Sequence, residues 1–402
     1  GVDNYQVFEK ADAVGGTWRE NHYPGAACDV PSHLYSLADA PNPEWTRLFP
    51  RQPEIQAHLL KLGDALFASG RIRYGWCLRR ARWDAAAGCW ELDNATGERQ
   101  RARTLILALG GLHVPAFPDI AGRERFAGPA FHSAQWRHDV PLGGRRVAVI
   151  GTGASAIQFV PAIAAEAAQL TLLQRTPPWV MPRPDLEFPP WLQRAFARLP
   201  WLRLGLRGSI FGLLEVLSSG LLHPRTAFWA RALARRHLRR QIADPALRAA
   251  LTPDYPIGCK RVLISSDYYP ALTRTNVQVE TTPIASVEAD GVRLRDGRLI
   301  AADVLIDGTG FRPMDVLADV EIIGRDGRNL RDDWPQRPQA HLGINVHGYP
   351  NLHFLLGPNT ALGHNSVLYM IESQVRHILA LRRLAEQHVS SLRLARTDPG
   401  SG

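Results

Sequence analysis

The stretch Arg145-Arg-Val-Ala-Val-Ile-Gly-Thr-Gly-Ala-Ser-Ala156 decides the fold of this chain. It begins as an apolar run of strand length, Arg145–Ile150, and continues as a Gly-x-Gly-x-x-Ala turn. The following residues, Ala156–Gln169, favour a helix. A strand, a glycine turn and a helix in this order are typical of a dinucleotide-binding unit, because the glycines let a pyrophosphate approach the backbone. The predicted dinucleotide-binding residues are Gly151, Gly153, Ser155 and Ala156.

The residue after the next strand indicates which dinucleotide binds. The strand Leu170–Leu173 is followed by Gln174, Arg175 and Thr176. Units that bind unphosphorylated NAD carry an acid at this position for the ribose 2′-hydroxyl, whereas a guanidinium suits a 2′-phosphate. Arg175 and Thr176 are therefore predicted to bind NADPH.

The bulk composition is that of a globular enzyme. A chain of 402 residues with 45% hydrophobic content can form two or three domains around a large core. The net charge of +9 comes almost entirely from arginine, since lysine occurs only at Lys10, Lys61 and Lys260. We interpret these arginines as scattered, with no run of like charge and no interleaved aromatic residues. We therefore expect no nucleic-acid partner.

Cysteine usage indicates a reducing, cytoplasmic location. The cysteines show no C-x-x-C spacing and no accompanying histidine cluster, so we expect neither a zinc site nor any other metal site. They are Cys28, Cys77, Cys89 and Cys259.

We expect no secretory signal. The best membrane candidate, Gly208–Leu222, is too short to span a bilayer and carries Glu215. We interpret it as a buried or amphipathic core helix. A weak contact with a membrane surface or with a neighbouring subunit is the alternative.

The amino end resembles the interior of a second dinucleotide-binding unit. Tyr5–Glu9 is a short apolar strand that ends in a carboxylate, and Gly15 and Gly16 follow it. In a Rossmann unit this would be the second strand, with Glu9 accepting hydrogen bonds from a ribose. The first strand, its glycine loop and the first helix would then be missing, about 30 residues in all. The alternative is that Glu9 ends an ordinary edge strand.

The remaining segments complete an α/β prediction. Hydrophobic periodicity predicts a helix at Pro53–Ser69, a hairpin or meander at Arg71–Leu92 with Gly88 in its turn, a buried strand at Arg103–Leu109, a strand at Val304–Ile306 and a final amphipathic helix at Glu372–Arg383.

We predict an α/β fold of two Rossmann-like, three-layer dinucleotide-binding domains. The first would comprise residues 1–140, without its amino-terminal part, and residues 307–402. The NADPH-binding domain would comprise residues 141–306, with a helical insertion at about residues 180–250.

Two dinucleotide units imply two cofactors in contact, because a nicotinamide needs a hydride acceptor and FAD is the usual one. A disulfide reductase would fit the same pair of units. Such an enzyme needs two redox-active cysteines close in sequence, and this chain has none.

Two motifs carry a family resemblance. Gly15-Gly-Thr-Trp18, Tyr23-Pro-Gly25 and Cys28-Asp29 resemble a signature of class B flavoprotein monooxygenases of the Baeyer–Villiger type. Phe126-x-Gly128-x-x-x-His132-x-x-x-Trp136 resembles the long fingerprint of that family, whose tryptophan separates it from related flavin-containing and N-hydroxylating monooxygenases. The family usually has Pro or Asp after this tryptophan, and this chain has Arg137.

Further matches extend the resemblance over nearly the whole chain. They are Gln174-Arg-Thr-Pro177, Gly258-Cys-Lys-Arg261, Asp307-Gly-Thr-Gly310 and Gly357-Pro-Asn-Thr-Ala-Leu-Gly-His-Asn365. The resemblance implies that NADPH reduces FAD, that O2 forms a flavin peroxide, and that this peroxide inserts one oxygen atom into a ketone to give an ester or lactone.

The resemblance also implies roles for individual residues. Arg261 would keep the peroxide anionic, Asp29 would pair with Arg261, and Lys260 would join Arg175 and Thr176 at the 2′-phosphate. His132 and Trp136, with Phe126 and Gly128, would couple domain rotation to cofactor position. The remaining cofactor-binding residues would be Glu9, Gly16, Thr17, Trp18, Asp29, Tyr35, Asp307, Asn359 and Asn365.

Two alternatives stay open at this stage. One is an N- or S-oxidising flavin-containing monooxygenase, and the other is a non-catalytic NADPH-binding remnant that retains FAD weakly because its first glycine loop is missing. The expected partners are a small ketone or sulfide and O2. The expected assembly is a monomer or homodimer.

Overall fold

A computed structural model describes residues 3–222, 226–313, 315–334 and 337–388. The strands are β1 Val7–Phe8, β2 Ile72–Arg73, β3 Leu78–Asp84, β4 Cys89–Asn94, β5 Arg99–Ala102, β6 Leu105–Leu107, β7 Ala130–His132, β8 Arg146–Ile150, β9 Gln169–Leu173, β10 Val180–Met181, β11 Leu263–Ile264, β12 Val277–Glu280, β13 Ile284–Glu288, β14 Gly291–Leu294, β15 Leu299–Ala301, β16 Val304–Asp307, β17 Glu321–Ile323 and β18 Leu352–Phe354.

The α-helices are α1 Thr17–Glu20, α2 Gln52–Ala68, α3 Ala156–Ile163, α4 Pro190–Arg198, α5 Pro200–Leu222, α6 Ala227–Gln241, α7 Pro245–Ala250, α8 Tyr268–Leu272, α9 Leu330–Asp333 and α10 Val367–His388. Short 3-10 helices occupy Arg123–Arg125, Ser133–Gln135 and Asp315–Leu317.

A five-stranded parallel sheet in the order β12-β9-β8-β16-β7 forms the centre of the unit predicted to bind NADPH. Helix α3 and the neighbouring helix α8 pack on one face through Phe159, Val160 and Tyr268, which are fully buried. The antiparallel strands β13, β14 and β15 pack on the other face. Burial on both faces explains why β8 and β16 are continuous apolar runs.

The predicted strand, glycine turn and helix are confirmed as β8, the loop 151–155 and α3. The predicted carboxyl end of that helix is wrong, because α3 ends at Ile163 and Gln169 already belongs to β9. The alanines between them favour a helix, but the Ala168 amide donates to the Arg145 carbonyl at 2.9 Å. Sheet pairing therefore overrides local helix propensity here.

A second core belongs to the segments on either side of this unit. Strands β3, β4, β5 and β17 form a mixed sheet, and β6 pairs in parallel with β18. Buried side chains from residues 76–107 and 322–354 share one hydrophobic cluster, which includes Trp90, Leu107 and Phe354. Chain segments far apart in sequence thus meet in one core.

Most of the other predicted helices and strands are present, but several of them begin or end at residues other than those predicted. Helix α2 agrees with the prediction, and α10 extends beyond the predicted Glu372–Arg383. The hairpin with Gly88 in its turn is confirmed, but Ile72–Arg73 pairs in parallel with β1 instead of joining the hairpin. The strand predicted as buried, Arg103–Leu109, is shortened to β6, where Ile106 is 45% exposed.

The fingerprint strand β7 lies at the edge of the central parallel sheet, paired with β16. A domain boundary at residue 140 therefore leaves one strand of this sheet on the amino-terminal side. The predicted helical insertion is present as α4, α5, α6 and α7 between β10 and β11. Across the described ranges, no helix combines the length and the hydropathy that crossing a bilayer requires.

The end of β12 generates a prediction about acid stability. Glu280 is 7% exposed, lies 2.7 Å from the Arg298 guanidinium and accepts a hydrogen bond from the Thr282 amide at 2.8 Å. Burial alone would raise the pKa of Glu280, but these donors outweigh it and lower the pKa to about 2. The stabilisation is therefore present above the ordinary pKa of 4.5 and is lost as the pH falls through about 2.

We expect Glu280→Gln to lower the free energy of unfolding by about 2 kcal/mol at neutral pH. In urea denaturation, the difference in unfolding free energy between wild type and variant should decrease from about pH 5 to about pH 3. The reason is that protonation of the Glu280 carboxylate becomes more favourable in this range and its ionic interactions contribute less stability. Glu321→Gln is the control, since Glu321 is exposed and lies 4.0 Å from Arg80. A pH-independent difference would contradict the ionic origin.

Candidate functional site

The glycine loop after β8 has a shape that only small residues permit. Gly151 has φ 104°, and a Cβ there would lie 2.5 Å from the Gly308 carbonyl oxygen. A Cβ on Gly308 would lie 3.1 Å from the Ala156 Cβ, so the third motif position also sets how closely α3 packs. The structure thus shows the close backbone approach and the tight helix packing that a pyrophosphate-binding loop requires. These residues fit an NADPH pyrophosphate.

The carboxyl ends of the parallel strands bring the predicted NADPH residues to one edge of the sheet. Arg175 follows β9 and is exposed, while the Thr176 carbonyl accepts a hydrogen bond from the Thr152 hydroxyl at 3.0 Å. Gly153 and Ser155 lie in the loop between β8 and α3. This edge is where open parallel sheets bind their ligands.

Lys260 is connected to the segment that carries Arg175 by its contact with Tyr255. Its ammonium lies 4.7 Å from the centre of the Tyr255 ring, and the Tyr255 hydroxyl donates to the Pro177 carbonyl at 3.2 Å. Within the described part of the chain, neither Lys260 nor Arg175 has an ion-pair partner. Both charges are therefore free to meet an anion such as a 2′-phosphate.

Arg261 and Asp29 meet across 232 residues of sequence. A guanidinium nitrogen of Arg261 donates to an Asp29 carboxylate oxygen at 2.5 Å, and the side chains are 46% and 28% exposed. Next to this pair, burial and the Asp29 charge raise the pKa of the Cys28 thiol. Cys28 is therefore a protonated, inert packing residue.

The residues predicted to bind FAD lie around the amino-terminal strands. Glu9 follows β1, and its carboxylate accepts a hydrogen bond from the Ala11 amide at 2.9 Å. Gly16 has φ 49°, and no atom lies within 4 Å of the Cβ it lacks. Thr17 begins the short helix α1 directly after it. The Glu9 carboxylate can accept hydrogen bonds from a ribose, and the open position at Gly16 leaves space for a phosphate.

Trp18 and Tyr35 form one polar and aromatic unit. The Trp18 indole N–H donates to the Tyr35 hydroxyl at 2.9 Å, and the rings pack edge to face. Burial raises the pKa of Tyr35, so its hydroxyl stays protonated.

The two predicted asparagines differ in their surroundings. Asn359 is exposed and has a left-handed backbone with φ 61°. Asn365 is buried, donates to the Glu215 carboxylate at 2.6 Å and accepts from the Ser366 amide at 2.8 Å. Both polar atoms of the Asn365 side chain therefore have hydrogen-bond partners within the protein, two residues before α10 begins.

The fingerprint residues pack inside the NADPH unit. A Cβ on Gly128 would lie 2.4 Å from the Asp303 carbonyl, so this position requires glycine to bring β7 against β16. Phe126 packs against the cluster beneath β13–β15. Trp136 is 7% exposed and contacts Phe131 and Phe159, each with a ring separation of 5.3 Å. It therefore connects β7 to α3.

His132 is fully buried in register with Asp307. Its Nδ1 accepts a hydrogen bond from the Ala134 amide at 3.1 Å, and its ring packs edge to face on Phe117 and Phe311. Burial lowers the pKa of His132, with a further lowering from the Arg123 charge. A neutral histidine suits packing between strands.

Arg123 is a site residue that the motifs did not reveal. It forms an ion pair with Asp307, which is fully buried, and stacks 4.9 Å from the Phe117 ring centre. Burial raises the pKa of Asp307 to about 6, although the Arg123 charge opposes this shift. The Asp307 carboxylate, which is predicted to bind cofactor, faces Arg123 in this structure.

Gln158 is a second residue that sequence reasoning missed. From α3 its side chain accepts hydrogen bonds from the Tyr23 hydroxyl at 3.0 Å and the Ala27 amide at 3.2 Å, and donates to the Ala27 carbonyl at 3.0 Å. A Cβ on Gly25 would lie 2.6 Å from the Gln158 carbonyl. The Tyr-Pro-Gly motif is therefore the surface on which this loop meets the NADPH unit.

The helical insertion also contacts the carboxyl-terminal segment. Arg207 of α5 lies 3.6 Å from Glu372 of α10 and donates to the Ser36 carbonyl at 2.6 Å. Phe211 packs on Tyr369 one turn farther along α5. One face of α5 is thereby fixed against the residues that surround Asn365.

Comparisons with known proteins show which family the chain belongs to. Residues 78–198 match the family model of flavin-binding monooxygenase-like proteins. A Baeyer–Villiger monooxygenase of Pseudomonas aeruginosa is 46% identical over 394 residues, which cover 98% of this chain and 75% of that protein. One from Streptomyces coelicolor is 44% identical over 380 residues, covering 94% and 73%.

Solved structures give the same result. The crystal structure of cyclohexanone monooxygenase from Rhodococcus sp. Phi1 bound to NADP+ superposes with a TM-score of 0.83 at 28% identity. The match covers 95% of this chain and 80% of that one, which confirms the predicted fold class. With nearly half its residues identical over most of a relative's length, this chain belongs to the Baeyer–Villiger monooxygenase family.

Proposed function

We propose that this chain inserts one oxygen atom of O2 into a ketone, with Arg261 and Asp29 at the reacting centre. A ketone, O2, NADPH and a proton would yield an ester or lactone, water and NADP+. The observation that carries the proposal is the contact between Arg261 and Asp29, which joins a residue beyond the helical insertion to one in the amino-terminal segment. Family membership supports FAD and NADPH as the cofactors.

FAD, when bound, takes the hydride of NADPH and activates O2. Arg261 would contribute a fixed positive charge beside the negative charge that develops on oxygen, because a guanidinium stays protonated at every relevant pH. Asp29 would hold that guanidinium in one orientation. Asp29 is 28% exposed and Arg261 is 46% exposed, so the pair is partly accessible from solvent.

Arg175 and Lys260 would bind the 2′-phosphate of NADPH. Both lie at the carboxyl edge of the sheet, and Tyr255 and Pro177 connect their two segments. Arg123 and Asp307 would act from within the sheet by fixing the loop that approaches Gly151. The opposite charges of Arg123 and Asp307 cancel, so this pair would add no net charge beneath the residues that bind NADPH.

The cores support a division into two units. Residues 76–107 and 322–354 share one hydrophobic cluster, and residues 131–306 supply most of another. We therefore assign the FAD unit to the amino-terminal and carboxyl-terminal segments and the NADPH unit to the middle segment. We place β7 in the NADPH unit, because it extends that sheet.

An oxidation of amines or sulfides as the main activity is not favoured. Trp136 carries the family-specific position of the fingerprint, and its contacts with Phe131 and Phe159 fill a site that a smaller aromatic residue would leave partly empty. The sequence relatives point in the same direction.

We expect Arg261→Ala in the FAD-loaded enzyme to leave flavin reduction by NADPH within several-fold of wild type and to lower ester formation by about 100-fold or more. Flavin bleaching in stopped flow and quantified ester product measure the two steps separately. Arg274→Ala is the control, because Arg274 is an exposed arginine outside the site. Ketone oxidation at the wild-type rate would remove Arg261 from the mechanism.

We expect Arg175→Ala to raise the KM for NADPH by about tenfold to 100-fold, because a charge-assisted hydrogen bond to the 2′-phosphate is lost. The KM for NADH should change little, since NADH lacks that phosphate. Steady-state kinetics with both cofactors decide the question. Equal effects on both would show that Arg175 does not contact the 2′-phosphate.

Gln158→Ala should release the loop that carries Asp29, because Ala27 lies two residues before it and loses both of its bonds to Gln158. We expect the free energy of unfolding to fall by about 1–3 kcal/mol. Less ester should form per NADPH consumed, because Asp29 loses its fixed position. Tyr23→Phe removes only one of the three bonds and should have a smaller effect. An unchanged ratio of ester to NADPH in Gln158→Ala would rule out this positioning role.

A further inference from the structure

The basic charge of the chain is concentrated in one part of the fold. Residues 190–241 contain ten arginines and one acid, Glu215, and so carry a net charge of +9. The whole chain has the same net charge, which means that the other 350 residues are neutral in total. The interpretation of the arginines as scattered is therefore wrong. The helices α4, α5 and α6 form a basic region on an otherwise balanced molecule.

Helix α6 presents much of this charge to solvent. Its exposed arginines have no ion-pair partner among the described residues, and they line a shallow groove together with Phe228 and Ala232. They are Arg231, Arg235, Arg236, Arg239 and Arg240. Guanidinium groups held apart from acids are suited to bidentate contacts with phosphate oxygens.

Large apolar side chains lie next to these arginines. At the start of α6, Trp229 is 70% exposed and Phe228 is 47% exposed. On α5, which packs against α6, Leu213, Val216 and Leu217 lie on one helix face and are 58%, 69% and 51% exposed. We call these five exposed residues, Leu213, Val216 and Leu217 of α5 with Phe228 and Trp229 of α6, the hairpin tip. A cluster of this kind marks an interaction surface and not scattered surface hydrophobicity.

The opposite face of α5 is already occupied. Arg207 and Phe211 contact Glu372 and Tyr369, so the helix is fixed on one side and exposes its leucines on the other. The hairpin tip is therefore exposed, while the other face of α5 is held in place by α10.

We propose that the hairpin tip docks on the surface of an anionic lipid bilayer. Tryptophan, phenylalanine and leucine enter the interfacial layer, while the α6 arginines bind lipid phosphates beside them. Helices that lie in a bilayer interface combine these two groups of residues.

Charge argues against a second copy of the chain as the occupant. A symmetric dimer through the tip would bring the unpaired arginines of two α6 helices close together, with only Glu215 to offset them in each copy. The Glu215 carboxylate is already engaged by Asn365 and His364. An anionic surface meets the same arginines with complementary charge.

Vesicle sedimentation with the purified full chain tests the proposal. We expect binding to vesicles of equal parts phosphatidylcholine and phosphatidylglycerol, little binding to phosphatidylcholine alone, and release at high salt. The double variant Arg235→Gln/Arg236→Gln should weaken binding by about tenfold or more, since each basic residue near the surface contributes to the attraction. Trp229→Ala/Leu217→Ser should weaken it with the charge unchanged.

A matched control distinguishes binding by the α6 arginines from attraction by the net positive charge of the whole chain. Arg274→Gln/Arg295→Gln removes the same charge from exposed positions outside residues 190–241 and should bind vesicles as wild type does. Circular dichroism melting curves verify that every variant is folded. Since the substitutions are at exposed positions, we expect the melting temperatures to be unchanged.

Three outcomes would overturn the proposal. The first is no sedimentation with anionic vesicles, and the second is an equal loss in the control and in the α6 variants. The third is self-association that Trp229→Ala/Leu217→Ser abolishes while vesicle binding is absent, which would assign the tip to a second copy.

Discussion

The close approach of the loops after β8 and β16 is the constraint on which the site depends. Gly151 and Gly308 meet with so little space that a Cβ on Gly151 would lie 2.5 Å from the other residue's carbonyl oxygen. This contact sets the position of α3, through Ala156 and Phe159. From α3, Gln158 holds the loop at Ala27, and two residues later Asp29 meets Arg261. A turn in the NADPH unit thereby fixes the geometry of a pair that lies between the units.

The fingerprint follows from the same packing. Trp136 contacts Phe159 on α3, and Gly128 lets β7 approach the chain that precedes β16. His132 then lies beside Asp307 and is held by two aromatic rings. The motif is a set of packing contacts around the central parallel sheet.

The helical insertion has two faces with different roles. Through Arg207 and Glu215 it contacts the segment that leads into α10, which ties it to the FAD unit. Its other face carries the exposed leucines and aromatic residues and, on α6, the unpaired arginines. Composition alone hides this separation, because a count of arginines does not show which of them find an acidic partner. Among the described arginines, most of those outside the insertion are paired with nearby carboxylates.

The sequence by itself determined the local elements and the family, because the glycine turns, the apolar strands and the spaced motifs are short-range patterns with a direct steric cause. It predicted the strand, turn and helix around Gly151 and Ala156, which are present as β8, the loop after it and α3. It could not end α3 at Ile163, since the bond from Ala168 to Arg145 depends on a strand pairing. Nor could it find Arg123 and Gln158, whose partners are more than 100 residues away. Only the tertiary structure decides such contacts, because burial and charge pairing are set by which distant segments share a surface.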